Sequence, residues 1–242
     1  MNIGVESDTL VFVPAWNEEQ SLPGVLDELA RELPRADLLV VDDGSIDRTA
    51  AIAREHGADV LAFEENRGLR AVIAAGYAYA ARQGYSYCGR VDADGQHPAR
   101  ELKRLLERVQ AGECDVAVGS RFLTGDRYGA YRYRPSRARA FGTALLRRSL
   151  AVRLGRPFSD ATSGMYAASS RAFPVLARPY TSGSPEVESI MRLAEAGLRV
   201  EEVPVDMRER VGGESKLTGK TALRLVLTVV AMLLLYRRVR AR

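Results

Sequence analysis

Arg90-Val91-Asp92-Ala93-Asp94-Gly95-Gln96-His97-Pro98 is the stretch on which this chain turns. An apolar-leaning run, Tyr85 to Gly89, precedes it, and a helix-patterned segment, Arg100 to Gln110, follows. Two carboxylates one residue apart therefore stand where a strand gives way to a loop, with an amide and an imidazole directly after them. Carboxylate and amide oxygens are hard donors that suit Mg²⁺ or Mn²⁺ rather than Zn²⁺. An ion held by one or two carboxylates usually completes its shell with substrate phosphates, so the stretch reads as a metal–diphosphate site at a strand end. Asp and Gly also favour turns on their own account, and taken alone the stretch leaves a plain polar turn open.

The same unit of strand, polar turn and helix recurs on both sides. Thr9 to Pro14 is a continuous apolar run, the mark of a strand buried on both faces. It ends in Pro14-Ala15-Trp16-Asn17-Glu18-Glu19, after which Ser21 stands where it would cap a helix running to about Leu33. Leu38 to Val41 is a second buried strand and runs into Asp42-Asp43-Gly44-Ser45, with a helix from about Thr49 to a cap at His56. Ala58 to Phe63 is a third strand, and Asn66-Arg67-Gly68 opens an Ala-rich helix over 69–83. Asp115 to Val118 is a fifth strand, ending in Gly119-Ser120-Arg121. Such alternation predicts a mostly parallel sheet with right-handed crossovers and helices on both faces. In these sheets ligands bind beyond the carboxyl ends of the strands, which is where the clusters at Pro14–Glu18, Asp42–Asp43 and Asp92–Asp94 fall. Neither GxGxxG nor GxxxxGK[ST] occurs, so a dinucleotide fold and a P-loop ATPase are unsupported.

The second half is less regular. Gly125 to Arg139 interleaves arginines with Tyr128, Tyr131 and Tyr133 and reads as a basic acceptor-side loop; no nucleic-acid-binding module accompanies it. Phe141 to Leu154 is helix-patterned, Asp160 to Ala167 is a polar turn entering a strand, Pro185 suits the first position of a helix to about Ala196, and Leu198 to Val205 is a strand. A basic loop, Arg208 to Lys216, leads to the most apolar helix, Leu217 to Tyr236, and closing arginines. The 242 residues, with 35 basic and 31 acidic side chains, fit one large domain or one and a half, of mild net charge, and give no general sign of nucleic-acid binding. Cys88 and Cys114, with no CxxC or Cys/His cluster, read as reduced core thiols of a cytosolic protein. No signal peptide is expected at the N-terminus, and no apolar run is long enough for a full span.

Seven segments, in this order, resemble family 2 glycosyltransferases, most of all the dolichol-phosphate mannosyltransferase and polyprenyl-phosphate glycosyltransferase branch: Pro14 to Glu19, Val41 to Thr49, Asn66 to Gly68, Asp92 to Pro98, Gly119 to Arg121, Asp160 to Gly164 and Arg210 to Lys216. The Gln96-His97-Pro98 tripeptide and the final Arg…Gly…Ser-Lys are the more discriminating. The resemblance implies a glycosyltransferase A-type, Rossmann-like α/β fold: a mostly parallel sheet flanked by helices, a catalytic domain over 1–216 and a C-terminal apolar helix over 217–242. It implies that Pro14, Trp16, Glu18 and Val41 line the nucleotide-sugar pocket with Asp43 on the base. Asp92 and Ala93 would lie at the ribose and metal loop, and Asp94 and Gln96 would ligate Mg²⁺ or Mn²⁺. Arg121, Arg210 and Lys216 would face the donor or acceptor phosphates, joined by one arginine of 134–139. Asp92, Asp94, Arg121 and Asp160 make up the implied catalytic set. The chain departs from the pattern in having Trp16 where Tyr is usual, Gly95 where Leu is common, and no expected multi-span membrane domain.

The implied reaction is an inverting, metal-dependent transfer of a hexose from a GDP-mannose or UDP-glucose type donor to polyprenyl phosphate. A nucleoside diphosphate leaves with negative charge, which a metal and fixed cations stabilise. A lipid phosphate is already an anion and needs little general-base help. A saccharide or small-molecule hydroxyl acceptor remains the alternative, and would require a base, for which Asp160 is the candidate. A sugar-1-phosphate nucleotidyltransferase and an inactive scaffold are the other rivals. Because the lipid lies in a bilayer, the segment 217–242 is expected to make a peripheral contact at the inner face of the cell membrane. The apolar stretch 221–236 spans roughly 24 Å as a helix, short of the roughly 30 Å hydrocarbon core. Arg224 and the terminal arginines favour an interfacial helix, while a core helix packed on the domain and a transmembrane segment pairing with another subunit stay open.

Overall fold

A computed structural model of the chain describes residues 7–123, 148, 150, 151, 155 and 157–208. The basic loop over 125–139, Arg210, Lys216 and the segment 217–242 lie outside the described residues. The helix expected over 141–154 is described at Arg148, Leu150 and Ala151, which are helical.

The described chain forms one seven-stranded sheet between two layers of helices. Its strands are β1 (Thr9–Ala15), β2 (Asp37–Asp42), β3 (Asp59–Ala62), β4 (Tyr87–Arg90), β5 (Val116–Ser120), β6 (Tyr166–Ser169) and β7 (Val200–Pro204). The helices are α1 (Leu22–Glu32), α2 (Thr49–Glu55), α3 (Leu69–Gln83), α4 (Ala99–Gln110), α5 (Phe173–Leu176) and α6 (Pro185–Glu195). The order across the sheet is β3-β2-β1-β4-β6-β5-β7. All neighbouring pairs are parallel except β4–β6 and β5–β6, so β6 is the one antiparallel strand. This is the expected glycosyltransferase A-type α/β fold.

β1 shows why the sheet is central. Every one of its residues is buried, and alternation along the strand sends successive side chains to opposite faces. Leu10 and Phe12 join Val72, Ile73 and Tyr77 of α3 and Phe173 and Ile190 of α5 and α6 on one side. Val11, Val13 and Ala15 join Leu22, Val25, Leu26 and Leu29 of α1 and Leu102, Leu105 and Leu106 of α4 on the other. Each fully buried leucine of this kind stabilises the fold by about 1.5–3 kcal/mol, which is ample to hold α1 and α4 by one face. Cys88 and Cys114 are buried free thiols.

Two local expectations are corrected. Ser21 precedes α1 but does not cap it through its side chain; its hydroxyl instead donates to Glu18 Oε2 at 2.7 Å. α5 was not expected at all, because four residues are too few to show a helical period. His56 does end α2, and its ring turns to Asp27 of α1 at 2.8 Å.

The topology creates one crevice. From β1 the chain moves outward to β2 and β3, then α3 carries it back to β4 on the opposite side of β1. The order therefore reverses between β1 and β4, and the loops leaving these strands flank the switch point where such sheets bind ligands. β6 runs the other way, so the loop that enters it, Asp160 to Met165, lies at the same edge as the loops that leave β1, β2, β4 and β5.

Candidate active site

The loops after β1 and β2 are stitched to each other. Asp43 N–H donates to Ala15 O at 2.9 Å, and Asn17 Oδ1 accepts the Ile46 N–H at 3.0 Å. Asn17 itself has φ +54°, a conformation to which Asn is better suited than most residues. Glu18 N–H donates to Thr49 Oγ1 at 2.9 Å. Pro14 lies buried in β1 opposite Val41 of β2. Trp16, directly after β1, is 39% exposed, so its indole is not part of the core.

Asp43 is buried, and its oxygens accept the N–H groups of Arg67 (2.7 Å) and Gly68 (2.9 Å). The carboxylate thus ties the loop after β2 to the turn that starts α3. Gly44 is fitted to the same junction: it has φ +69°, and a Cβ there would stand 2.6 Å from the Glu65 carbonyl carbon. The sequence pattern gave no sign of this long-range anchor.

The acidic loop after β4 is held from both sides. The Asp92 N–H donates to His97 Nδ1 at 3.0 Å, which fixes that nitrogen as an acceptor. Burial holds the His97 pKa below the ordinary histidine range, against the pull of Asp92 and Asp94. Asp94 Oδ1 accepts the Gln96 N–H at 3.0 Å, closing a tight Asx turn. Ala93 is buried between them. The Gln96 amide nitrogen donates to Arg208 O at 3.4 Å, and the Arg208 N–H returns a bond to Gln96 O at 2.9 Å. Arg208 grips Glu28 of α1 at 2.6 and 2.9 Å, so the backbone entering the segment with Arg210 and Lys216 is fixed beside the acidic loop.

Arg121, directly after β5, meets Asp160 in a bidentate pair, with Nε–Oδ2 at 2.6 Å and Nη2–Oδ1 at 2.7 Å. Glu202 of β7 accepts the N–H groups of Ser159 (2.6 Å) and Asp160 (2.7 Å) and so presents Asp160 to Arg121. The loop that carries Asp160 reaches the acidic loop through Gly164. Gly164 packs on the Asp92 carboxylate so closely that a Cβ would stand 2.8 Å from its carboxyl carbon.

The structure therefore gathers Pro14, Trp16, Glu18, Val41, Asp43, Asp92, Ala93, Asp94, Gln96, Arg121 and Asp160 along one sheet edge. The Asp92 and Asp94 carboxylates and the side-chain oxygen of Gln96 are hard donors, of the kind that suits Mg²⁺ or Mn²⁺. Binding of the amide nitrogen to Arg208 O leaves Gln96 Oε1 as the acceptor end. Among the described residues no three His, Cys, Asp or Glu side chains form a metal cage. An ion here would thus draw much of its shell from a diphosphate. Arg90, which the sequence pattern left without a role, is fully buried beneath this loop.

The profile of the family described as Glycosyl transferase family 2 matches residues 10–173. The polyprenol monophosphomannose synthase of Mycolicibacterium smegmatis is 34% identical over 220 residues, 87% of this chain and 81% of the relative. The undecaprenyl-phosphate mannosyltransferase of Micrococcus luteus is 33% identical over 218 residues, 87% of each chain. Among solved structures, glucosyl-3-phosphoglycerate synthase from Mycobacterium tuberculosis, in complex with Mn²⁺, uridine-diphosphate-glucose and phosphoglyceric acid, aligns with TM-score 0.69 at 19% identity. That alignment covers 98% of this chain and 85% of the other, a likeness of fold. With the motif order, the fold and the gathered strand-end loops, these matches place the chain in glycosyl transferase family 2.

Proposed function

We propose that the chain transfers a hexose from a nucleotide sugar of the GDP-mannose or UDP-glucose type to a polyprenyl phosphate, with inversion at the anomeric carbon. One observation carries the choice of acceptor. Asp160, the carboxylate that the sequence offers as base for a hydroxyl acceptor, is engaged by Arg121 through both oxygens. A phosphate acceptor does not need that base, because it arrives as an anion. The names of the two relatives at 33–34% identity support the same reading.

In this reading the Trp16 face and Asp43 receive the nucleotide, while Asp92 orients the ribose and the acidic loop. Asp94 and Gln96 would hold Mg²⁺ or Mn²⁺, which when bound supplies charge stabilisation to the leaving diphosphate. Arg121, pre-oriented by Asp160, adds a fixed cation that need not reorganise as charge develops. Arg210 and Lys216 are proposed as further phosphate contacts. The segment 217–242 is proposed to hold the enzyme on the inner membrane face, where the lipid acceptor resides; among the described residues no helix is long and apolar enough to cross a membrane.

The test is acceptor choice. The full chain is incubated with Mn²⁺ and GDP-mannose or UDP-glucose, once with undecaprenyl or dolichyl phosphate and once with a panel of saccharides. Labelled sugar in the lipid fraction is expected; transfer to saccharide hydroxyls alone would assign the chain to the hydroxyl-acceptor branch.

A further inference from the structure

Arg90 is the largest side chain wholly buried in the described fold. Its guanidinium Nε donates to Gly164 O at 2.9 Å, and Nη2 donates to Ser163 O at 3.5 Å. The Tyr166 ring lies under it, 4.7 Å from the guanidinium carbon to the ring centroid. Glu186, at the start of α6, is the nearest counter-charge at 3.8 Å. Burial raises the carboxyl pKa of Glu186, with the Arg90 charge pulling the other way. Taking a guanidinium out of water is costly, and an apolar side chain would fill the same space in a strand more cheaply. What the arginine gives in return is its fork, two donors fixed in one plane, set on two consecutive carbonyls.

One of those carbonyls belongs to Gly164, the residue packed on Asp92. Gly164 sits against the Asp92 carboxylate with no space for a Cβ, while the Asp92 N–H is bound from the other side by His97. The contacts Arg90 to Gly164 and Gly164 to Asp92 form one unbroken path from the sheet interior to the crevice.

We propose that Arg90 is a positioning residue for Asp92. By holding the Ser163 and Gly164 carbonyls it seats Gly164 against the Asp92 carboxylate, and so fixes the direction in which that carboxylate meets the donor, with Glu186 as its counter-charge. This inference rests on the donor-site reading given above, in which Asp92 serves the ribose and the metal loop.

The test measures binding, not turnover. The full chain is titrated calorimetrically with Mn²⁺ in the presence of GDP, and separately of UDP, and Tm is recorded on the same samples. Arg90→Lys keeps the charge but loses the fork. It is expected to weaken Mn²⁺ binding by roughly 10–100-fold, the usual cost of losing an outer-shell partner. Gly164→Ala displaces Asp92 directly, so the double variant Arg90→Lys/Gly164→Ala is expected to bind no worse than Gly164→Ala alone. A purely structural role would lower Tm and leave the affinity of the folded protein untouched. Should Arg90→Lys fail to fold, Arg90→Met/Glu186→Gln, which removes both buried charges together, is held to the same criterion. Wild-type affinity in the Arg90 variant, or losses that multiply in the double variant, overturns the inference. A wild-type chain that binds Mn²⁺ with neither nucleotide overturns the donor-site reading, and the inference with it.

Discussion

Arg121 and Asp160 join the end of β5 to the entry of β6 through two parallel hydrogen bonds of 2.6 and 2.7 Å, with the Asp160 side chain fully buried and that of Arg121 only 25% exposed. A third bond, from the Arg121 N–H to Asp160 Oδ2 at 3.1 Å, adds to the grip. Asp160 is thus the mount on which Arg121, the cation proposed to face a phosphate, is held. Hydrogen bonds to charged groups contribute about 1.5–3 kcal/mol, so Asp160→Asn is expected to reduce kcat/KM by roughly 10–100-fold. Steady-state kinetics with a lipid phosphate acceptor checks this. Arg121→Lys, which cannot reproduce the fork, is expected to show a loss of the same order.

Gly44 is predicted to be intolerant of a side chain. Its φ of +69° disfavours L-residues, and a Cβ would press on the Glu65 backbone at 2.6 Å. Gly44→Ala should destabilise the fold by about 2 kcal/mol, a fall in Tm of roughly 4–8 °C for a chain of this size. Because the strain lies where Asp43 anchors the Asn66–Gly68 turn, nucleotide affinity should fall as well; differential scanning calorimetry and a nucleotide titration report the two effects separately.

The Glu28–Arg208 pair should matter more for binding than for stability. It is a two-point contact at 2.6 and 2.9 Å, but half of the Arg208 side chain is exposed, so its contribution to folding is screened. Its other consequence is local: Arg208 O accepts the Gln96 amide. Arg208→Ala retains the backbone but loosens its placement, and is expected to weaken Mn²⁺ binding in the presence of GDP or UDP several-fold with little change in Tm.

Glu188 gives a pH dependence with a defined sign. It is completely buried and accepts N–H groups from Thr181 and Ser182, the Thr181 hydroxyl and the Arg192 guanidinium. Burial opposes the charged form, but these donors outweigh it and hold its pKa below the ordinary 4.5. A carboxyl depressed in the folded state contributes its full stability above the unfolded value, and loses it as pH falls through the folded one. Acid unfolding should therefore steepen below about pH 4.5, and Glu188→Gln should flatten that limb while lowering Tm at neutral pH. Urea titrations at a series of pH values measure both.

Much of the frame around this site is legible in the sequence. Continuous apolar runs such as Thr9 to Val13 and Leu38 to Val41 can only be strands of a covered sheet, and the acidic residues directly after them must then sit at its carboxyl edge. Among the described residues, the seven strands and five of the six helices named above fall where periodicity and breakers put them. What escaped was set by contacts remote in sequence. Insertion of β6 between β4 and β5, antiparallel to both, follows from backbone pairing between residues 48 to 82 positions apart and leaves no local pattern. Asp43 reads as a ligand-facing acid, and its additional role as acceptor of the Arg67 and Gly68 N–H groups shows in no local pattern. Arg90 reads as the first residue of a polar loop, although it closes β4 inside the core; a lone cation between Gly89 and Val91 was the one available hint. Ser21 reads as a helix cap, but a carboxylate three residues before it is the better acceptor for its hydroxyl.

The central claim is that the Asp92–Gln96 loop operates on a metal-bound nucleoside diphosphate sugar to glycosylate a polyprenyl phosphate. Transfer of labelled hexose to undecaprenyl phosphate, measured with Mn²⁺ for the wild type and for Asp94→Ala of matched Tm, tests it most directly. Labelled lipid from the wild type, its loss with a chelator, and none from Asp94→Ala are the predicted results. Equal label from the wild type and from Asp94→Ala would contradict the account.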